Sequence, residues 1–335
     1  LERYRQAALR GAAWLLRHQG ADGSFSNVDD GVQPYHKIPY ALAATGHQRE
    51  ADRLLDWVES HVMAPNGDLK GKHGQAACDW YDRFHTYANS WIVLGAARLG
   101  RFPLVRKGIE YILTRQDPNS GGILSEINPH AEHGGRQDIV STSKAGSACL
   151  SAGRIPEAVL MGDWLSKMLE SQPEPGTVLY TCWDSNHGLI TTFPEEDSLV
   201  YAVHANRGLQ WFYYPGIAME FLGRLYRVTR RQQYLEASLR FFDFACRCGE
   251  DILRTDPGAI IGSAAALMYQ IDGNPHFRDA ALVVGDGLVE KQTATGFWFK
   301  QDEADTTDPA YHHLLTLEGT AEFVSWLTEM VRWIR

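Results

Sequence analysis

The sequence predicts an all-α chain folded as an (α/α)6 toroid, six helical hairpins forming one domain over residues 1–335. Three observations predict it. Apolar periodicity marks helical segments along nearly the whole chain. These segments alternate between helices apolar on one face and helices apolar nearly all round, the signatures of surface and buried helices. The links between them alternate too, short Gly/Pro turns with long excursions.

The one-sided segments run over Glu2–His18, Arg49–Met63, Phe102–Gln116, Ile155–Gln172, Gln232–Cys248 and Pro275–Gln292. In the fourth, Ala158, Leu160, Met161, Trp164, Leu165 and Met168 keep one stripe apolar. The small-residue-rich, buried segments are Tyr35–Thr45, Phe84–Leu99, Ile139–Ala152, Leu209–Val228, Pro257–Ile271 and His312–Trp333. A buried segment passes to the next outer one through glycine, often followed by proline, as at Gly100–Pro103, Gly153–Pro156 and Gly273–Pro275. Glycine suits the left-handed position that ends a helix, and proline the first turn of the next. Outer-to-inner links are long, as at Gly20–Pro34 and Pro173–Gly208, with a short one only near Glu250–Asp256. All the long excursions therefore fall at the N-termini of the buried helices, where reactive groups are expected.

An internal repeat runs through the outer segments. It reads Arg10-Gly11, Trp14-Leu15, Gln19, then Gly23-Ser24-Phe25; again Lys107-Gly108, Tyr111-Ile112, Gln116, then Gly121-Gly122-Ile123; and again Gly287-Leu288, Gln292, then Gly296-Phe297-Trp298. Glutamine at the helix end is expected to bond the last carbonyls, and glycine to permit the turn beyond. The pattern resembles the repeats of the squalene cyclase and prenyltransferase-repeat superfamily, whose members form α/α toroids. The resemblance implies a single-toroid, terpenoid cyclase-like fold and an apolar, terpenoid-like substrate. The acid motif Asp-x-Asp-Asp of its class II cyclases is not reproduced: the nearest string, Asn27-Val28-Asp29-Asp30, lacks the first Asp. The zinc ligands of the protein prenyltransferases have no match either.

Composition narrows the function. Hydrophobic content of 44% with 11% aromatic residues fills a core, while the net charge of -9 argues against nucleic acid, which needs a basic face that no Lys/Arg cluster provides. No apolar run approaches the roughly 20 residues of a membrane span. Five cysteines at irregular spacing do not read as a disulfide framework, and a cytoplasmic setting follows as the expectation. No P-loop, dinucleotide fingerprint or Gly-x-Ser-x-Gly elbow is present.

The densest polar and aromatic stretch is Asp79–Trp91, leading into the second buried segment. On one continuous helix Asp82, His85 and Asn89 share a face, and a carboxylate beside an imidazole orients it for acid/base work. Asp82 and His85, with Tyr81, Tyr35, His36 and Lys144, are the catalytic candidates. Lys144 is included because a lysine on a buried helix needs a partner or a cavity. Trp80, Tyr87, Asn89, Trp211, Tyr213 and Tyr214 are candidates for a substrate-binding wall. So are Cys182, Asp184 and His187 in one loop, Asp256 before its proline, and the pair His312 and His313, of which at most one faces inward given ~3.6 residues per turn. Asp256 also reads as an N-cap. The Cys182–His187 loop lacks the second ligand pair of a zinc site, and the acidic run Asp302–Asp308, which could suggest Mg²⁺ and diphosphate, reads first as a solvated loop, so neither a metal nor another cofactor is expected.

The leading expectation is a cofactor-independent cyclase, isomerase or hydro-lyase acting on an apolar small molecule, with homo-oligomerisation open. A carbohydrate-active toroid, hydrolase or epimerase, is the alternative, and a non-catalytic binding scaffold a third. Site composition separates the first two: dry and aromatic for a terpenoid, several carboxylates with Arg or Asn for a sugar.

Overall fold

A computed structural model of the chain describes residues 1–70, 80–126, 135–208, 210–299 and 309–334, with Asp82, Glu250 and Asp251 by their backbone. Cys78, Asp79 and the run Asp302–Asp308 lie outside the described residues. Two compact units emerge, one of Leu1–Thr114 with Gly285–Arg332, the other of Arg115–Val284 with Trp333–Arg335.

In the first unit the outer helices are α1 (Glu2–Leu16), α3 (Gln48–Trp57) and α6 (Phe102–Leu113). The inner ones are α2 (Ile38–Ala44), α5 (Thr86–Arg98) and α14 (Pro309–Trp333), with one turn, α4 (Trp80–Arg83), before α5. Burial follows the sequence pattern. Every residue of α5 from Thr86 to Val93 is buried, whereas α3 buries only Ala51, Leu54, Leu55 and Trp57. The expected single helix through Asp82, His85 and Asn89 is broken, because Phe84 and His85 form a turn between α4 and α5.

In the second unit α8 (Ile155–Glu170), α11 (Gln232–Arg247) and α13 (Pro275–Lys291, whose last turns enter the first unit) are outer. The inner helices are α7 (Ile139–Ser151), α10 (Tyr213–Thr229) and α12 (Ala259–Asp272), with a short α9 (Ser198–Tyr201) in a long link. Buried positions run unbroken from Ile139 to Cys149 in α7 and from Ala259 to Met268 in α12. Two small antiparallel sheets, absent from the sequence expectation, organise the long links here. One is β1 (Arg136–Asp138), β3 (Cys182–Asp184) and β4 (Gly188–Leu189); the other is β2 (Val178–Tyr180) and β5 (Ala202–His204). Asp138 faces Cys182 across the first, so β1 delivers its last residue directly to the start of α7. Strands of two or three residues are too short to show a period-two pattern.

The repeated glutamine does not bond the last carbonyls of its own helix as expected; it reaches past them, to the glycine turn beyond and to the next outer helix. Gln19 Nε2 donates to the carbonyls of Gly23 (3.1 Å) and Glu50 (2.9 Å), Gln116 Nε2 to Gly121 (3.0 Å) and Glu157 (3.1 Å), and Gln292 Nε2 to Gly296 (2.8 Å) and Ala7 (2.9 Å). Each amide thus ties its own turn to the neighbouring outer helix. The glycine is required twice over. Gly121 has φ +86°, and a Cβ there would stand 2.6 Å from the Leu160 carbonyl oxygen.

Candidate active site

Burial and charge meet in the first unit where the chain enters α2. His36 and Lys37 are fully buried just before that helix, and Glu318 and Glu322 share one face of α14 at i, i+4. A buried ammonium is tolerated only if paired. Lys37 Nζ donates to Glu318 Oε1 at 2.8 Å and Glu322 Oε2 at 2.9 Å, and the Tyr81 hydroxyl donates to the same Glu318 oxygen at 2.8 Å. Glu322 is the more accessible carboxylate, its side chain 17% exposed against 6% for Glu318.

His36 completes the cluster in a defined form. Its Nδ1 lies 2.7 Å from the Val32 carbonyl, which can only accept, so Nδ1 carries the hydrogen and Nε2 the lone pair. Nε2 stands 3.7 Å from Glu318 Oε1 and has no hydrogen-bond partner among the described residues. Burial pushes its pKa down to about 4, overcoming the opposite pull of Glu318. Aromatic rings line the same place. Tyr87 lies 5.4 Å from Lys37 Nζ, with its phenol pushed up to about 12 by burial, and Trp80 packs edge-on against Tyr81 (4.9 Å) and Tyr87 (5.0 Å). Four of the sequence candidates, His36, Tyr81, Trp80 and Tyr87, thus come together.

Other candidates fall elsewhere. His85 and Asn89 meet the carboxylate of Asp68: His85 Nε2 lies 3.3 Å from Asp68 Oδ2 and 2.7 Å from the Tyr111 hydroxyl, and Asn89 Nδ2 donates to Asp68 Oδ1 at 3.2 Å. Tyr35 is buried against Trp57 and directs its hydroxyl to the Lys70 carbonyl. His313 is exposed, its ring 5.3 Å from that of His18, and His312 is partly buried. A further carboxylate, Glu329, accepts from Tyr40 at 2.8 Å, about 16 Å along α14 from Glu318 at 1.5 Å per residue.

In the second unit Lys144 pairs with Glu220 (3.5 Å), which Arg224 also holds (2.8 Å). Asp138, wholly buried, caps α7 by accepting from Ser141 N at 2.7 Å and also accepts from the Ser125 hydroxyl. Arg136 donates to Glu126 and to the Cys182 sulfur, whose thiol burial pushes up to about 11. Asp184 Oδ1 is taken by the turn, accepting from Asn186 N, His187 N and the His187 ring, while the His187 side chain is 73% exposed. Trp211 and Tyr213 stack at 5.9 Å, and the buried Tyr214 donates to the Val200 carbonyl. Asp256 is not the N-cap expected of it: Gly258 holds that position, and Thr255 Oγ1 accepts from Gly258 N.

Lys37, Glu318, Glu322, Glu220, Asp68 and Asp138 escaped the sequence reading. Three of them carried a signal. A carboxylate inside an otherwise apolar, fully buried helix must have a partner, and Glu318, Glu322 and Glu220 all sit in such segments. Among the described residues no group of three or more His, Cys, Asp or Glu stands as a metal site, and no helix is long and apolar enough to cross a membrane.

No family model and no curated sequence matches the chain. Solved structures do. A D-mannose isomerase aligns with TM-score 0.65 at 11% identity, covering 96% of each chain. The GH76A α-1,6-mannanase of Salegentibacter sp. HEL1_6 aligns with TM-score 0.64 at 15% identity over 98% of this chain and 99% of that one. A type II terpene cyclase from Scytonema aligns with TM-score 0.58 at 15% identity over 99% and 100%. The fold class is therefore the all-α, (α/α)6 toroid, shared with carbohydrate-active and terpenoid enzymes alike.

Proposed function

We propose that this protein is a cofactor-independent acid/base enzyme that isomerises or epimerises a small sugar. The observation that carries the reading is Lys37 held between Glu318 and Glu322, with Tyr81 on the same carboxylate. A sugar's hydroxyl and carbonyl oxygens can hydrogen-bond with these polar groups, whereas an isoprenoid offers them no partner. Lys37 Nζ also offers a hydrogen-bond donor to the oxygen on which an enediolate's charge develops.

In the proposed step the Glu322 carboxylate takes the proton from the carbon beside the sugar carbonyl. The C–H electron pair becomes the C=C bond while the carbonyl π pair moves onto oxygen, where Lys37 stabilises the enediolate; the proton on Glu322 then returns to the same carbon, or to the former carbonyl carbon once the neighbouring hydroxyl has passed its proton to the enediolate oxygen. Glu318 keeps Lys37 and Tyr81 in place. The solved D-mannose isomerase supports the reading by fold alone.

A second reading, an apolar terpenoid-like substrate, is favoured by the aromatic surround. Trp91 packs at 5.5 Å from Tyr40 and 5.6 Å from Trp326, close to the Tyr87 ring at 6.4 Å. One experiment separates the two. The protein is incubated in D2O with a panel of aldoses and ketoses, and with isoprenoid alcohols, and products are followed by NMR. Deuterium entering a sugar beside its carbonyl, lost in Glu322→Gln and Lys37→Met, is the expected result; turnover of an isoprenoid alone overturns the first reading.

A further inference from the structure

The turn from α10 to α11 differs from its counterparts. The other inner-to-outer turns place Gly46, Gly100, Gly153 and Gly273 at positive φ, and a Cβ at any of these would meet nothing within 4 Å. Glycine is favoured there by backbone conformation alone, and these turns project into open space. At the fifth turn the residue is Arg230, φ +57°, the only non-glycine at positive φ among the described residues. A side chain kept where glycine is easier to accommodate points to a use for that side chain.

Its surroundings suggest the use. Arg230 lies over the Tyr226 ring at 5.7 Å, and Arg227, Val228, Arg230 and Arg231 are all exposed, Val228 by 54%. Of the carboxylates on the elements packed beside the turn, Glu220 is engaged with Arg224 and Asp163 with Gln233 (2.7 Å) and the Tyr234 hydroxyl (2.8 Å), while Glu236 on α11 and Asp272 at the end of α12 are exposed. The sequence reading found no basic face, yet Arg227, Arg230 and Arg231 fall within five residues, and the turn presents them together at the tip of α10.

We propose that this knuckle docks the protein on an anionic phospholipid surface. A convex turn fits a plane better than it grips an extended peptide. Guanidinium groups match phosphate oxygens in paired hydrogen bonds, and Val228, set between the arginines, offers an apolar tip to the headgroup layer. Because the chain as a whole carries -9, attraction is local and salt-sensitive.

The test is co-sedimentation of the full chain with phosphatidylcholine vesicles, with and without about one-third phosphatidylserine. Binding is expected only with the anionic lipid and is lost at about 1 M salt, where the screening length falls to about 3 Å. Each arginine removed weakens partitioning about fivefold. The decisive variant is Arg230→Gly, which suits the backbone: its melting temperature stays level or rises while binding falls about fivefold. Arg106→Ser on α6 leaves binding unchanged. Equal binding to neutral vesicles overturns the proposal, as does wild-type binding by Arg230→Gly. Tighter Arg230-dependent binding to soluble polyglutamate overturns it in favour of an acidic protein partner.

Discussion

Lys37 Nζ lies 2.8 Å from Glu318 Oε1, with both side chains more than nine-tenths buried. Removing the ammonium leaves a carboxylate desolvated and uncompensated, the costly half of breaking a buried pair. Lys37→Met is expected to lose about 3–5 kcal/mol in urea unfolding. Adding Glu318→Gln and Glu322→Gln to it removes the stranded charges and recovers much of that loss. A Lys37→Met variant as stable as the parent would mean that the pair is solvated.

His36 makes stability depend on pH in a defined direction. Its folded pKa, pushed down to about 4 by burial, lies below the free value of 6.5. As pH falls below 6.5 the unfolded chain takes up a proton that the folded one refuses, so stability drops until about pH 4. The full loss is about 3 kcal/mol, at 1.36 kcal/mol for each unit between the two pKa values. His204 and His313, both held low by partial desolvation, with Arg207 beside the first and His18 beside the second, add slopes of the same sign. The difference between wild type and His36→Gln isolates the buried imidazole: the variant is flatter between pH 6.5 and 4. Parallel curves would show that His36 titrates normally.

The alternation of helix types was legible because burial is written in periodicity. The segment Ile139–Ala152 has no polar stripe, and α7 ends within one residue of it. The small sheets were not legible, since Arg136–Asp138 gains its form from pairing with Cys182–Asp184, a distant stretch of chain. The site was half legible for the same reason. His36 and Tyr81 announced themselves as polar aromatic residues at helix starts, but Glu318 acquires meaning only when α14 packs beside the entry to α2. The continuous helix expected through Asp82 and His85 is interrupted, because Phe84 and His85 turn between α4 and α5.

Two glycines at positive φ separate conformational from steric need. Gly153 has open space around it, whereas a Cβ on Gly121 would stand 2.6 Å from the Leu160 carbonyl oxygen. Gly153→Ala should cost about 1 kcal/mol, the conformational penalty of a left-handed alanine. Gly121→Ala should cost clearly more, since backbone must move as well, and Gln116→Ala should destabilise by unpairing the carbonyls of Gly121 and Glu157. Thermal unfolding of the three variants checks the order; equal losses for the two glycines would place no outer helix against the turn.

Asp138 is a cap in an unusual setting. Its Oδ1 accepts from Ser141 N at 2.7 Å, while burial holds its pKa above the ordinary carboxylate value despite the nearby Arg136. Loss of the cap in Asp138→Ala should cost about 1–2 kcal/mol. Asparagine can still accept from Ser141 N, and it carries no charge to desolvate. The sign of the pH effect follows from the raised pKa. Above 3.8 the unfolded chain releases a proton that the folded one retains, so wild type loses stability relative to Asp138→Asn as pH rises through the folded pKa and gains it as pH falls toward 3.8. Paired denaturation curves between about pH 4 and 7 measure this difference. If the asparagine variant instead loses ground as pH rises, Arg136 outweighs burial and the carboxylate belongs to an ion pair rather than to a cap.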